Sequence, residues 1–146
     1  MYEFLQKTNP IAAHDFSVAG RIAWAIYCCN VGQAAMEAGE ITSAITTLTE
    51  AIHAFPFPTS LELLGECYLL EGNFVKATIY LAAAIGMSEQ HEFRSLFLLG
   101  KALAAANDNY VSKIMLKKAI SIQPDSEAQE LLAEIVNRTA STEQVA

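Results

Sequence analysis

The sequence predicts an all-α fold, a solenoid of antiparallel helix pairs, and three observations carry that prediction. Gly recurs at Gly32, Gly65 and Gly100, and an Ala-Ile pair recurs at Ala51-Ile52, Ala84-Ile85 and Ala119-Ile120; both series step by 33 and then 35 residues. Around each Gly the apolar residues stand at offsets 0, 3, 4 and 7, one stripe of an α-helix. A breaker follows at a constant distance, Gly39, Gly72 and Asn107, each seven residues after its Gly. Self-similarity at a fixed period of this length marks stacked supersecondary units. Such arrays generally present a surface to a partner and seldom build a reaction centre.

Composition agrees. The chain has 146 residues, 53% of them apolar and only 17% charged, below the usual charged share of about a quarter. That suits one domain with a sizeable core and is too apolar for a disordered chain. The longest uncharged stretch near the start, Ile22 to Met36, is 15 residues and contains Asn30, Gly32 and Gln33. A membrane span needs roughly 18–20 apolar residues, so none is expected. Met1-Tyr2-Glu3-Phe4 lacks the charged-then-apolar design of a signal peptide, and a cytoplasmic protein is expected.

The elements follow in order. Residues 1–16 form a lead-in, punctuated by Pro10. Asp15 or Ser17 starts the first helix, which extends through Trp24, expected as buried packing at the start of the array. In the first copy the leading stripe is Cys28, Val31, Gly32 and Ala35; in the second, Leu61, Leu64, Gly65 and Tyr68; in the third, Leu96, Leu99, Gly100 and Leu103. A Gly within such a stripe costs about 1 kcal/mol against Ala, so matched Gly positions suggest close approach of a neighbouring helix. Gly39, Gly72 and Asn107 then end these helices, because Gly and Asn tolerate positive φ.

A second stripe completes each copy. It reads Ile41, Ala44, Ile45, Leu48, Ala51 and Ile52, then Phe74, Ala77, Thr78, Leu81, Ala84 and Ile85. The third keeps Ser112, Leu116, Ala119 and Ile120 but places Asn109 and Lys113 at apolar positions, for which Tyr110, Ile114 and Met115 are expected to compensate. Pro56 and Pro124 stop the chain; the middle copy has Glu89 there. After Pro124, Ser126 with Gln129 has the spacing of a capping box. Ala128, Leu131, Leu132 and Ile135 then form the apolar stripe of a terminal helix with a polar outer face, as solenoids require. The expected organisation is a domain over 17–138, with repeats near 22–58, 59–91 and 92–125, a capping helix over 126–138, and a flexible tail over 139–146.

No catalytic motif emerges, and an enzyme is not expected. His14, His53 and His91 are 38 or 39 residues apart with no second ligand at metal spacing, so no metal and no cofactor is expected. Cys28, Cys29 and Cys67 are odd in number and form no CxxC; they read as small buried apolar side chains in a reducing compartment. Glu62 and Glu66 lie one turn apart and read as an acidic, solvated or partner-facing surface. The net charge is −7. From Ile22 to Glu71 there are six acids and no Lys or Arg, whereas Arg94 to Lys118 holds five bases against Asp108. An acidic chain disfavours nucleic acid, which is bound through clustered bases.

These residues resemble the tetratricopeptide repeat over about residues 22 to 125. The middle copy matches best, with Leu61, Leu64-Gly65, Tyr68, Ala77, Leu81 and Ala84. The first has Val31-Gly32, Ala44, Leu48, Ala51 and Pro56, and Ala35 at the Tyr place. The third has Leu99-Gly100, Leu116, Ala119 and Pro124, and Leu103 at that place. The resemblance implies a right-handed superhelix whose first helices line a concave groove. Inward residues would be Cys29, Gln33 and Met36, then Glu62, Glu66 and Leu69, then Phe97, Lys101 and Ala104, with Arg94 near the entrance. The implied partner is another protein: a peptide or amphipathic helix with a basic residue near its middle.

One subclass of the family grips the C-terminal carboxylate of heat-shock chaperones with Lys, Asn and Arg. Here the matching places carry Cys29, Gln33, Leu63, Arg94 and Leu98, and no such clamp is expected. The resemblance implies an adaptor; the alternative is a small dedicated chaperone similar to the acidic three-repeat chaperones of type III secretion. The apolar excess makes self-association a further expectation, with Ile79, Tyr80 and Tyr110 contributing.

Overall fold

The computed structural model describes residues 17–145, with side chains to 142. The lead-in over 1–16, including His14 and Asp15, lies outside the described residues. The described residues are helical, and no strand occurs among them. They belong to two compact units, divided between Gly72 and Asn73, and each is taken by itself.

The first unit holds α1 (Val18–Glu37), α2 (Ile41–Ala54) and α3 (Pro58–Glu71). Ser17 starts α1: its Oγ accepts the Gly20 N–H at 3.1 Å, satisfying one of the orphan donors of a first turn. Trp24, Ala25, Cys28, Cys29, Gly32 and Ala35 are buried, a broad stripe that packs against both other helices of the unit. Gly39 ends α1 at φ +80°, and the Glu40 N–H returns to the Ala35 carbonyl at 2.9 Å. The turn is therefore three residues long, and α2 folds straight back onto α1.

That return is close. A Cβ added to Gly32 would stand 2.6 Å from Leu48 Cγ, so the missing side chain lets the two backbones approach. Leu48, Ala44 and Ala51 are fully buried on the facing side of α2. Pro56 lies just past the end of α2, and Pro58 opens α3 at a position where a missing N–H costs nothing. Gly72, at φ +87°, ends α3.

The second unit holds α4 (Phe74–Met87), α5 (Phe93–Ala105), α6 (Asn109–Ile122) and α7 (Ser126–Val145). Asn73 caps α4 through the Lys76 N–H, and Asp108 caps α6 through the Val111 N–H. Asn107 adopts φ +64° between α5 and α6, the role Gly39 plays between α1 and α2. The close approach recurs too: a Cβ on Gly100 would meet Leu116 Cγ and Cδ2 at 2.8 Å. Here the contact gains a polar lock, because the buried Ser112 hydroxyl donates to the Gly100 carbonyl at 2.7 Å. Ala104, Leu116 and Ile135 form the core beneath α7, with Phe97, Leu131 and Leu132 packed against it.

Three expectations are corrected. The cap of α7 is Asp125, whose carboxylate accepts the Ala128 N–H at 2.9 Å, and not a Ser126–Gln129 box; a carboxylate one residue earlier reaches the same orphan donors. The capping helix does not end at Arg138. It runs on to Val145, because no Pro or Gly interrupts it, Arg138 pairs with Glu134 at 2.7 Å, and the Thr139, Ser141 and Thr142 hydroxyls return to carbonyls four residues back. Finally, Tyr110 and Ile114 do not compensate for Asn109 and Lys113. Tyr110 is 74% and Ile114 36% exposed; Met115 is half-buried, and Ser112, Leu116 and Ala119 are the buried residues of α6.

Candidate functional site

The sequence-derived groove residues divide between the two units. In the first, α1 carries Cys29, Gln33 and Met36, and α3 carries Glu62, Glu66 and Leu69. Cys29 is buried, Gln33 is exposed, and Met36, Glu62, Glu66 and Leu69 are half-buried. Gln33 Nε2 donates to Glu37 Oε1 at 3.2 Å, one turn further along α1. Among the described residues of this unit Arg21 is the only Lys or Arg, against six carboxylates, Glu37, Glu40, Glu50, Glu62, Glu66 and Glu71.

Between α1 and the start of α3 lies an open, mostly apolar pocket of about 330 Å³, lined by Ile26, Cys29, Asn30, Phe57, Pro58, Thr59 and Ser60. Of these, only Cys29 was singled out in the sequence. Ile26 keeps 49% of its surface exposed, and Phe57 leans on Phe55 with ring centroids 4.9 Å apart. Phe57 occupies the N-cap of α3 and offers no side-chain acceptor. Ser60, fully buried, has a hydroxyl with no hydrogen-bond partner. The signal for this pocket was the Phe-Pro-Phe-Pro run at 55–58, which punctuates the repeat and also builds a wall.

In the second unit α5 carries Arg94, Phe97 and Lys101. Phe97 stacks on Phe93 at 5.4 Å and 19°. The Lys101 ammonium sits 5.2 Å over the Phe97 ring and 3.3 Å from Glu127 Oε1 on α7. The capping helix thus holds Lys101 in place. At these exposures the ion pair contributes at most about 1 kcal/mol, so its role is to orient the ammonium. Sequence reading missed this pair, since Glu127 lies 26 residues away.

The remaining named residues are structural. Gly65, Ala51, Ala84 and Ala119 are buried in their helices; Tyr68 is half-buried, and Pro56 and Pro124 follow helix ends. Of the places a carboxylate clamp would use, Cys29, Leu63 and Leu98 are 8%, 8% and 7% exposed, apolar and turned into the core. Burial pushes the Cys28 thiol up to about 12, helped by Glu50 and Cys29. It pushes Cys67 up to about 11, with Glu66 and Glu71 adding. Both are neutral thiols at physiological pH, poor as nucleophiles or metal ligands. No group of three or more His, Cys, Asp or Glu able to hold a metal occurs among the described residues. No described helix is long and apolar enough to cross a membrane.

Comparison with known proteins bears on these faces. Residues 31–92 and 93–126 match family models described as the tetratricopeptide repeat. No curated protein matches recognisably in sequence. Among solved structures, the fold is similar to a C-terminal TPR-containing domain from Plasmodium falciparum, with a TM-score of 0.83, 18% identity, and 90% and 98% of the two chains covered. It is similar to the first TPR domain of human RPAP3, with a TM-score of 0.74, 20% identity, and 84% and 98% covered. It is similar also to the first TPR of Spaghetti (RPAP3), solved with an HSP90 peptide, SRMEEVD, with a TM-score of 0.76, 19% identity, and 82% and 95% covered.

Proposed function

Because the chain belongs to the tetratricopeptide repeat family, we propose that it is a protein–protein interaction module that takes a peptide segment or amphipathic helix of a partner on the faces of its first helices. The observation that carries this reading is the first unit's combination of an open apolar pocket with helices and turns that carry six carboxylates against Arg21 as the one Lys or Arg among the described residues. An apolar side chain fills such a pocket, and a Lys or Arg beside it answers the carboxylates. In the second unit Arg94, Phe97 and Lys101 offer an aromatic and two cations, suited to the acidic or carbonyl-rich flank of the same kind of segment. A solved neighbour binding an HSP90 peptide supports peptide recognition as a use of this fold. The peptide class differs here, because the clamp places Cys29, Leu63 and Leu98 are buried and apolar.

Peptide discrimination tests the proposal. A labelled amphipathic peptide with leucines flanking a central Lys or Arg is expected to bind, and to bind less well as salt is raised, because exposed charges are screened beyond roughly 10 Å at 0.1 M. The peptide SRMEEVD, titrated in parallel, is expected not to bind. Binding of SRMEEVD in preference to the basic peptide would overturn the assignment.

A further inference from the structure

The three copies expose different outer faces on their second helices, and the middle one is anomalous. At equivalent positions α2 presents Thr42, Thr46, Thr49 and His53, and α6 presents Tyr110, Ile114, Lys117 and Ser121. On α4 the same positions are Val75, Ile79, Ala82 and Gly86, continued by Ala83 and Met87. Val75 is 66%, Ile79 59% and Met87 50% exposed, while Ala77, Leu81 and Ala84 are buried on the opposite side. A helix apolar on both sides is ordinarily buried on both. Its single charge is Lys76.

Gly86 adds an independent sign. Gly32 and Gly100 are explained by Leu48 and Leu116, and Gly39 and Gly72 by positive φ. A Cβ on Gly86 would meet nothing within 4 Å, and its φ is not positive. A residue that weakens a helix therefore meets no close neighbour among the described residues, and it lies on the exposed stripe.

We propose that the outer face of α4 is a self-association surface, on which a second copy of the chain packs its own α4 in antiparallel orientation about a two-fold axis. The stripe is bulky at its start, with Val75 and Ile79, and small towards its end, with Ala82, Ala83 and Gly86. Antiparallel pairing centred near Leu81 sets Val75 against the second copy's Gly86 and Met87, and Ile79 against its Ala82 and Ala83. Bulk meets space twice, as an isologous contact requires. Charge agrees with this pairing. Two copies each at −7 repel, and α4 carries no carboxylate. The stripe from Val75 to Met87 is about 18 Å long and about 10 Å wide, roughly 200 Å², well short of the roughly 800 Å² per partner of a standard interface. The dimer is accordingly weak and concentration-dependent. It uses none of the residues proposed for peptide binding.

Sedimentation equilibrium of the full chain across the micromolar range tests it. The expected result is a monomer–dimer equilibrium that Ile79→Glu abolishes, halving the limiting mass, while Thr46→Glu at the equivalent place on α2 leaves it unchanged. Circular dichroism confirms that each variant is folded, and Ile79→Thr, the milder change, is expected to weaken the dimer in the same direction. Mixing Val75→Cys with Met87→Cys under oxidation is expected to give a mixed disulfide between copies. A chain that stays monomeric throughout, or a dimer indifferent to both Ile79 variants, would overturn the proposal. Val75→Cys linking to itself in preference would overturn the antiparallel pairing.

Discussion

Leu116→Ala is expected to destabilise the protein by about 2–5 kcal/mol, the range for truncating a fully buried leucine, out of a total that is typically about 5–15 kcal/mol. Leu116 is fully buried and closes on Gly100. The informative partner variant is Gly100→Ala. Helix propensity alone favours it by about 1 kcal/mol, but the new methyl would stand 2.8 Å from Leu116 Cγ, and overpacking of this kind costs about 1–3 kcal/mol. Overpacking is expected to win, because Leu116 is fully buried. Combined, the two changes are expected to cost clearly less than their sum, with a coupling of about 0.5–3 kcal/mol, since the added methyl occupies space that the leucine vacates. Gly32 and Leu48 should behave alike in the first unit. Urea denaturation of the four proteins of the cycle reads this directly. A stabilising Gly100→Ala, or strict additivity, would mean that the two helices do not meet there.

Alkaline pH is the second large effect. The Cys28 thiol is raised from 9.0 to about 12 and the Cys67 thiol from 9.0 to about 11, burial being the main cause in each. The folded state therefore holds protons that the unfolded chain releases. Stability from these groups is complete below pH 9 and is lost as pH climbs towards 11–12, because the unfolded state then binds fewer protons than the native. Over the accessible range, from pH 9 to about 11, the loss from each thiol is at most on the order of 2–3 kcal/mol before solvent screening reduces it. The check is the pH dependence of the urea midpoint from neutrality to about pH 11, in native protein and in Cys28→Ala. The variant should start less stable and fall less steeply. Equal slopes, or rapid alkylation of Cys28 in the folded protein at neutral pH, would contradict its burial as a neutral thiol.

How far the sequence foretold the molecule varies with the range of the interaction. The helix pairs were legible because the repeat states the same local physics three times. The αL turns at Gly39, Gly72 and Asn107 depend only on which residues tolerate positive φ, and all three stand where the period placed them. The close approaches at Gly32 and Gly100 were legible as unexplained helix breakers inside apolar stripes. Contacts distant in sequence were not legible. Lys101 meets Glu127 only because α7 folds back beside α5, and nothing in the spacing of either residue announces it. The pocket wall at Phe57 was hidden for a different reason: residues around a proline read as punctuation, although here they also pack. The course of α7 to Val145 was missed because polar side chains suggested fraying, whereas their hydroxyls bond along the helix. Of the candidate site, the helix that carries each side chain could be read beforehand; the neighbours of each side chain could not.

The central claim is that the acidic first-helix surface of the first unit grips a basic, apolar segment. It is tested most directly by titrating the leucine-flanked, centrally basic peptide into the native protein and into the double variant Glu62→Lys, Glu66→Lys, with circular dichroism to confirm that the variant is folded. The expected result is saturable, salt-sensitive binding to the native protein and loss of at least about tenfold in affinity on charge reversal, equivalent to roughly 1.4 kcal/mol or more. Unchanged affinity in a folded double variant would contradict the claim and place peptide recognition elsewhere on the molecule.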